Sequence, residues 1–260
     1  MQKTSYVLTT AKSGVSFKAA VVADLHDRTY AGVLPLLEQE RPDMILVPGD
    51  VTEALNGVPG ELPRAGYSLL SACAAIAPTF YSLGNHEIGG CHGNIRRSKR
   101  AEKPLTFSLS SQWRKTIEST GAVFLNEDWT VWRGLVIGGL GSGLLNPGWI
   151  PDLRWIQAYA DTPGYKLLLC HHPEYYDRYL RPYDIDLIVS GHAHGGQWRV
   201  FGRGVYAPDQ GLFPKYTSGL HENRLVISRG VANTVPFVPR FFNPCEVVFV
   251  EVQDGSSEKS

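Results

Sequence analysis

The chain is short of cysteine, of charge imbalance and of long apolar runs, and each shortage closes off a class of protein. Its 260 residues hold four cysteines, Cys73, Cys91, Cys170 and Cys245, far apart and with no CxxC pair. That spacing fits neither a zinc ribbon nor a disulfide framework, so reduced thiols in a cytosolic protein are expected. Lys plus Arg and Asp plus Glu both number 25, a net charge of zero. A bulk electrostatic trap for nucleic acid is thereby excluded. No run approaches the roughly 20 apolar residues of a membrane-spanning helix. The opening MQKTSYVLTTAKSG carries no apolar stretch of secretory-leader length. A cytoplasmic protein is expected, with any membrane contact peripheral.

What is present fits a globular domain. The chain is 43% hydrophobic and 19% charged, enough to bury a core without staples. Its length suits one α/β sandwich, so residues 1–252 read as a single domain and 253–260 as a flexible tail. Five short apolar runs stop abruptly at polar residues: FKAAVVADLHD, DMILVPGD, TFYSLGNHE, YKLLLCHHP and DIDLIVSGHAH. Runs of four to six apolar residues bounded by glycine, proline and polar groups predict buried strands. Helices are predicted over Thr29–Glu40, stopped by Arg41-Pro42, over Tyr67–Ala77, over Ser110–Thr120, and over Asp152–Ala160 with Asp152 as cap. Residues 122–143 read as two strands around Arg133-Gly134, and Leu225–Ser228 and Glu246–Val252 as two more. Residues 200–222 and 233–244 read as long ordered loops. Strands alternating with helices predict an α/β fold of two sheets covered by helices.

The polar residues at the strand ends form a set: Asp24, His26, Asp50, Asn85, His86, His171, His192 and His194. Sites in open α/β sheets gather at the carboxyl ends of strands. Carboxylate, imidazole and amide oxygen together suit a borderline divalent metal such as Mn, Fe, Zn or Co, and the absence of cysteine argues against a structural zinc site. In extended backbone, residues i and i+2 point the same way, so Asp24 and His26 are expected to face one ion together. Seven or eight donors are too many for one open site. They suit two ions about 3.5–4 Å apart sharing a carboxylate. Taken singly, each residue is better read as a turn former, a helix cap or a core histidine. Five strand ends carrying ligand-type residues by accident is the weaker explanation.

As an ordered series, DLH (24–26), GD (49–50), GNHE (84–87), His171 after LLLC and GHAH (191–194) resemble the calcineurin-like metallophosphoesterases. The resemblance implies a four-layer α/β/β/α sandwich of two mixed sheets around a dinuclear metal centre. It implies that Asp24, His26 and His194 bind one ion, that Asn85, His171 and His192 bind the other, and that Asp50 bridges them. It further implies in-line attack on phosphorus by a metal-bridging hydroxide, with His86 assisting the leaving group. His171 rather than His172 is taken as ligand, and His172 as a residue outside the ligand shell.

GHAHGGQ, YAPDQGLFPKYTSG and VISRG look like one bacterial branch of that family, often membrane-associated, in which some members cleave phosphodiester or pyrophosphate bonds, including in a UDP-linked lipid A precursor (a UDP-diacylglucosamine pyrophosphatase-like branch). A phosphate-ester small molecule or lipid-linked nucleotide is the implied substrate. Phosphomonoesterase or cyclic-nucleotide phosphodiesterase activity, and a non-catalytic binding scaffold on the same fold, stand as alternatives. The protein phosphatases of the family continue GD as GDxVDRG, whereas this chain reads GDVTEAL, which speaks against protein substrates. Glu53 there is read as a solvated turn residue rather than a partner of His86.

Among the remaining features, the basic run RRSKRAEK (96–103) reads as a solvated loop or as a collar for phosphate or anionic lipid. Arg229 reads equally as a phosphate contact or a structural ion pair. Phe237, Phe241 and Phe242 read as core under a loop in preference to a patch facing lipid. Cys91 and His92 have no partner that would make a nucleophile and base, and Trp149 and Trp155 read as packing residues.

Overall fold

The computed structural model describes residues 1–53, 64–87, 111–142, 151–233 and 239–256. The basic run at 96–103, Cys91, His92, Trp149 and Phe237 lie outside the described residues.

In chain order the strands of the first half are β1 Gln2–Thr10, β2 Phe17–Val21, β3 Met44–Val47, β4 Thr79–Tyr81 and β5 Val123–Phe124. Next come β6 Asp128–Trp132, β7 Leu135–Leu140, β8 Tyr165–Cys170 and β9 Leu187–Ser190. Two small hairpins follow, β10 Arg199–Val200 with β11 Arg203–Gly204, and β12 Tyr206–Ala207 with β13 Gly211–Leu212. The last strands are β14 Gly219–His221, β15 Leu225–Ile227 and β16 Glu246–Asp254. Helices α1 Leu34–Glu40, α2 Ala65–Ile76, α3 Ser111–Glu118 and α4 Ile156–Asp161 complete the set. One six-stranded sheet runs β1-β16-β2-β3-β4-β5 and the other β14-β15-β9-β8-β7-β6. Strands β2 to β5 are mutually parallel, as are β7, β8, β9 and β15.

The layering follows from alternation along each strand. On β3, Ile45 and Val47 pack outward under α1 and α2, while Met44 and Leu46 face the second sheet. On β8, Leu167 and Leu169 face the first sheet, and Leu168 and Cys170 pack with α4 and Tyr176 on the far side. These parallel strands are buried on both faces, which is why they read as continuous apolar runs. Three cores therefore separate four layers, the α/β/β/α sandwich expected.

Several boundaries move. The first predicted helix starts at Leu34, not Thr29, because Pro35 sits in its first turn. Proline lacks the amide hydrogen and clashes with the preceding turn, so it is tolerated only there. Asp152 does not cap α4. It accepts the backbone N–H of Arg154 at 3.0 Å, and Trp155 occupies the cap position without a side-chain bond. The predicted stretch around Arg133-Gly134 is a hairpin, both turn residues having positive φ, 48° and 79°. The 200–222 region is built from two hairpins and β14 rather than irregular loop. β16 runs two residues past its expected end, to Asp254, and the Gly255 N–H donates to the Thr10 carbonyl at 2.9 Å. Strand β1, exposed along most of its length, lacks a clean apolar stripe and was not predicted.

Candidate metal centre

Every strand-end residue singled out in the sequence arrives at one rim. Asp24, His26, Asp50, Asn85 and His86 follow β2, β3 and β4 of the first sheet, and His171, His192 and His194 follow β8 and β9 of the second. The parallel directions aim all five carboxyl ends the same way. The His192 N–H donates to Asp24 Oδ1 at 2.9 Å and pins the two sheets together there.

Strand alternation does not place the first two donors. Asp24 and His26 do not lie on extended backbone, since β2 ends at Val21. Asp24, His26, Asp50, His192 and His194 all have left-handed φ, from 47° to 66°. Ala193 between the two histidines is right-handed, with φ −78°. Asp and His tolerate this region better than most residues. Each such residue costs of order 1–3 kcal/mol and persists only where surrounding contacts over-determine it. Here they do: Asp24 N–H donates to Gly49 at 3.2 Å and His26 N–H to Asp50 at 3.0 Å.

Glu87 supplies another restraint, one the sequence reading passed over. Buried fully, its carboxylate accepts N–H bonds from Asp50 at 2.9 Å, Val51 at 2.6 Å, Thr52 at 3.3 Å and Gly84 at 2.8 Å. Burial first, then the nearby Asp50 charge, pushes its carboxyl up to about 7. The GD and GNHE loops are thus stitched by one side chain. Gly84 has no room for a methyl group, since a Cβ there would land on the Asp50 carboxylate.

Within this frame the donors gather in groups. Asp24, His26 and His194 offer atoms within 4.8 Å of one another, and so do Asp50, His171 and His192. Asp50 lies between them: its Oδ2 is 3.0 Å from His171 Nε2, 3.6 Å from His26 Nε2 and 3.9 Å from His86 Nε2. The other oxygen, Oδ1, is taken by the His86 N–H at 2.8 Å. Asn85 Oδ1 is 3.1 Å from His171 Nε2 and 2.9 Å from His192 Nδ1.

Two buried atoms here, Asp24 Oδ2 and His26 Nε2, have no hydrogen-bond partner, although buried polar atoms are ordinarily satisfied, and Asp50 Oδ2 meets the His171 ring at 3.0 Å. Outer contacts also fix the tautomers. His171 Nδ1 donates to the Pro48 carbonyl at 2.7 Å, and His192 Nε2 faces the Asp209 carboxylate at 3.1 Å. The opposite nitrogen of each ring is left turned toward Asn85 Oδ1. A cluster of lone pairs converging on one buried point is what a cation requires, and the residues fit divalent ions. Electrostatics agree. Burial disfavours the charged His171 ring, yet Asp50 and its neighbours raise it to about 9, so the surrounding carboxylates favour positive charge at this point. His194 is driven well below its ordinary value by burial, then by His26 and Arg240, and stays neutral as a ligand must.

Glu53 is not a solvated turn residue. Its Oε1 lies 3.1 Å from His26 Nδ1 and its Oε2 2.9 Å from His86 Nδ1. Its side chain, one methylene longer than aspartate's, lets one carboxylate span two rings. His86 stands edge-on to His26 with centroids 4.1 Å apart, and its side chain keeps 18% of its surface open.

Around this set, His172 is buried against Ser142 Oγ at 2.6 Å and Glu174 Oε1 at 3.1 Å. Burial, then His192, pushes it down to about 4, so it packs as a neutral ring beside His192. Arg229 turns away from the site and pairs with Glu246 and Thr4, the structural ion pair. Phe241 and Phe242 are exposed, 54% and 87%, not core. Trp155 stacks on Trp129 as packing.

The family profile for calcineurin-like phosphoesterases matches residues 17–196, the span of all seven candidate ligands and His86. A metallophosphoesterase of Campylobacter jejuni is 27% identical over 233 residues, covering 88% of this chain and 56% of that protein. One of Caenorhabditis elegans is 26% identical over 246 residues, covering 89% and 47%. The phosphodiesterase YaeI of Escherichia coli is 27% identical over 237 residues, covering 84% and 76%. The chain spans about half the length of the first two relatives. With the profile covering most of its length, the chain belongs to the calcineurin-like phosphoesterase family, the metallophosphoesterases.

Proposed function

We propose that the chain is a dinuclear metal-dependent phosphoesterase that hydrolyses a phosphodiester or pyrophosphate bond. The observation that carries this reading is the pair of donor groups meeting at Asp50, with Asp24 Oδ2 and His26 Nε2 buried and unpartnered beside it. Asp24, His26 and His194 would hold one ion, and Asn85, His171 and His192 the other. Asp50 Oδ2 would be shared, because Oδ1 is occupied by the His86 N–H. Imidazole, carboxylate and amide donors favour Mn, Fe, Zn or Co. When bound, such ions neutralise charge on phosphoryl oxygens and activate water.

The side chains would do the rest. His86 is the most open of the histidines around Asp50, with Nδ1 held by Glu53 and Nε2 turned to the pocket. It can hold a proton there and deliver it to a leaving oxygen. Similarity to YaeI, a phosphodiesterase, supports a diester over a monoester. Cleavage of a lipid-linked nucleotide pyrophosphate is the narrower form of this reading. All seven ligands and His86 are present, which weighs against a non-catalytic scaffold. A panel with Mn²⁺ spanning monoesters, diesters, cyclic nucleotides and nucleotide-linked lipids tests it. Turnover of bis-p-nitrophenyl phosphate, lost together with metal in Asp50→Ala, is expected. Full turnover after chelation would sink it.

Peripheral membrane contact belongs to the same reading. Among the described residues no helix is long and apolar enough to cross a membrane. Three phenylalanines, Phe201, Phe213 and Phe242, instead stand on left-handed backbone, φ 49°, 50° and 54°. They are 101%, 71% and 87% exposed. Arg203 lies in the chain between the first two, while Asp209, the one acidic residue of 198–216, turns inward to His192. Aromatic tips with basic neighbours suit an anionic bilayer surface. Sedimentation with phosphatidylglycerol vesicles should occur and should fail for Phe201→Ser/Phe213→Ser/Phe242→Ser. Equal sedimentation of this variant would remove the surface from the proposal.

A further inference from the structure

The β12–β13 hairpin (Tyr206–Leu212) looks like a surface flap, yet its turn reaches the metal centre. Asp209 sits there with φ 58°, and its Oδ2 lies 3.1 Å from His192 Nε2. The turn is anchored. Gln210 receives the Tyr216 N–H at 3.0 Å and donates to the Tyr216 carbonyl at 2.7 Å, and Arg178 donates to the Asp209 carbonyl at 3.2 Å. The His192 ring is flanked on its other sides by the rings of His172 at 4.2 Å and His171 at 5.1 Å. His172 cannot serve as its polar partner, since both nitrogens are engaged by Ser142 and Glu174. Asp209 is the side chain that meets His192 Nε2, while Nδ1 points at Asn85 Oδ1, 2.9 Å away.

We propose that Asp209 is a positioning residue: by accepting the Nε2 proton of His192 it fixes the tautomer whose Nδ1 lone pair is aimed at the ion site shared with Asn85 and His171. A ring nitrogen can ligate only when it carries no proton, and the proton's location is set by what the other nitrogen donates to. A carboxylate is the strongest neutral-pH acceptor for that role. The inference rests on the metal-centre reading of the site.

The test has two readouts that do not require turnover. Long-range ¹H–¹⁵N ring spectra of the metal-free protein should show His192 protonated at Nε2, and calorimetry should show two classes of Zn²⁺ sites. In Asp209→Ala one class should weaken by roughly 10–100-fold, the range typical of lost outer-shell partners. In Asp209→Asn, whose amide oxygen still accepts, the tautomer should persist and affinity should fall less. The proposal is overturned by an Nδ1-protonated His192 in the wild type, or by unchanged affinity in Asp209→Ala. It is also overturned if Asp209→Ala removes a third equivalent of Zn²⁺ and leaves two intact, since His172, Glu174, His192 and Asp209 would then be an ion site of their own. If the wild type bound no Zn²⁺ at all, the metal-centre reading would fail first, and the tautomer spectrum would still judge Asp209 alone.

Discussion

At the scale of single residues, Glu53 and His86 form a device whose parts separate by substitution. Glu53 touches both His26, a candidate ligand, and His86, the candidate proton donor. His86→Ala removes only the donor. Turnover should drop by roughly 10²–10⁴-fold, the usual contribution of a positioned acid, with metal content unchanged by atomic absorption. Glu53→Gln keeps the volume and removes the charge. A smaller loss, of roughly 10-fold, is expected, with the alkaline limb of the pH–rate profile displaced to lower pH because His86, as proton donor, loses its anionic neighbour. Equal pH profiles would detach Glu53 from His86. The sequence makes His86 a candidate through its place in GNHE but does not show the contact of Glu53 with it. A glutamate after GD is usually a turn residue, and only the approach of the β4 loop supplies the second ring.

At the scale of elements, the close approach of loops decides the site. Gly191 lets the end of β9 pass Asp24: a Cβ there would lie 2.7 Å from Asp24 Oδ2 and 2.9 Å from Ala23 Cβ. Gly191→Ala should therefore move the GHAH turn away from Asp24. Weakening of metal binding by at least roughly 10-fold is expected, the scale of a displaced ligand partner, read by calorimetry while far-UV circular dichroism stays native. The buried parallel strands and α2 were legible because continuous apolar runs and breakers mark them. Strand β1 was not, because it pairs with β16 through backbone bonds while exposing much of its surface. The short hairpins carrying Asp209 were hidden for a related reason: two-residue strands leave no periodicity to read.

At the scale of the whole molecule, ion pairs and buried carboxyls set stability. Arg229 after β15 pairs with Glu246 at the start of β16, which is 2% exposed, and Thr4 of β1 also meets Glu246. Arg229→Met strands that carboxylate, and a loss of roughly 3–5 kcal/mol is expected, measured by urea unfolding; a loss under roughly 1 kcal/mol would contradict this role. Glu127 gives a pH dependence. Burial, then Asp152, raises its carboxyl from 4.5 to about 7. The folded chain therefore binds that proton more tightly than the unfolded chain. Its contribution is greatest below pH 4.5 and is lost as pH rises toward 7. The urea midpoint should fall between pH 5 and pH 8 from this source, and Glu127→Gln should flatten that decline.

By itself the sequence determined the chemistry and the order of its parts. Ligand types at five strand ends, aimed by runs that can only be buried strands, specify a two-sheet α/β frame with a metal centre at one rim. The tertiary structure alone decided which atoms serve. Left-handed backbone at Asp24, His26, Asp50, His192 and His194, rather than i, i+2 alternation on a strand, turns the donors inward. Residues far apart in the chain, Glu53, Glu87, Pro48 and Asp209, fix their protons and rotamers. The reason is physical. A strand's burial is written in its own neighbours, whereas a tautomer is set by whichever distant acceptor the fold brings to the other nitrogen.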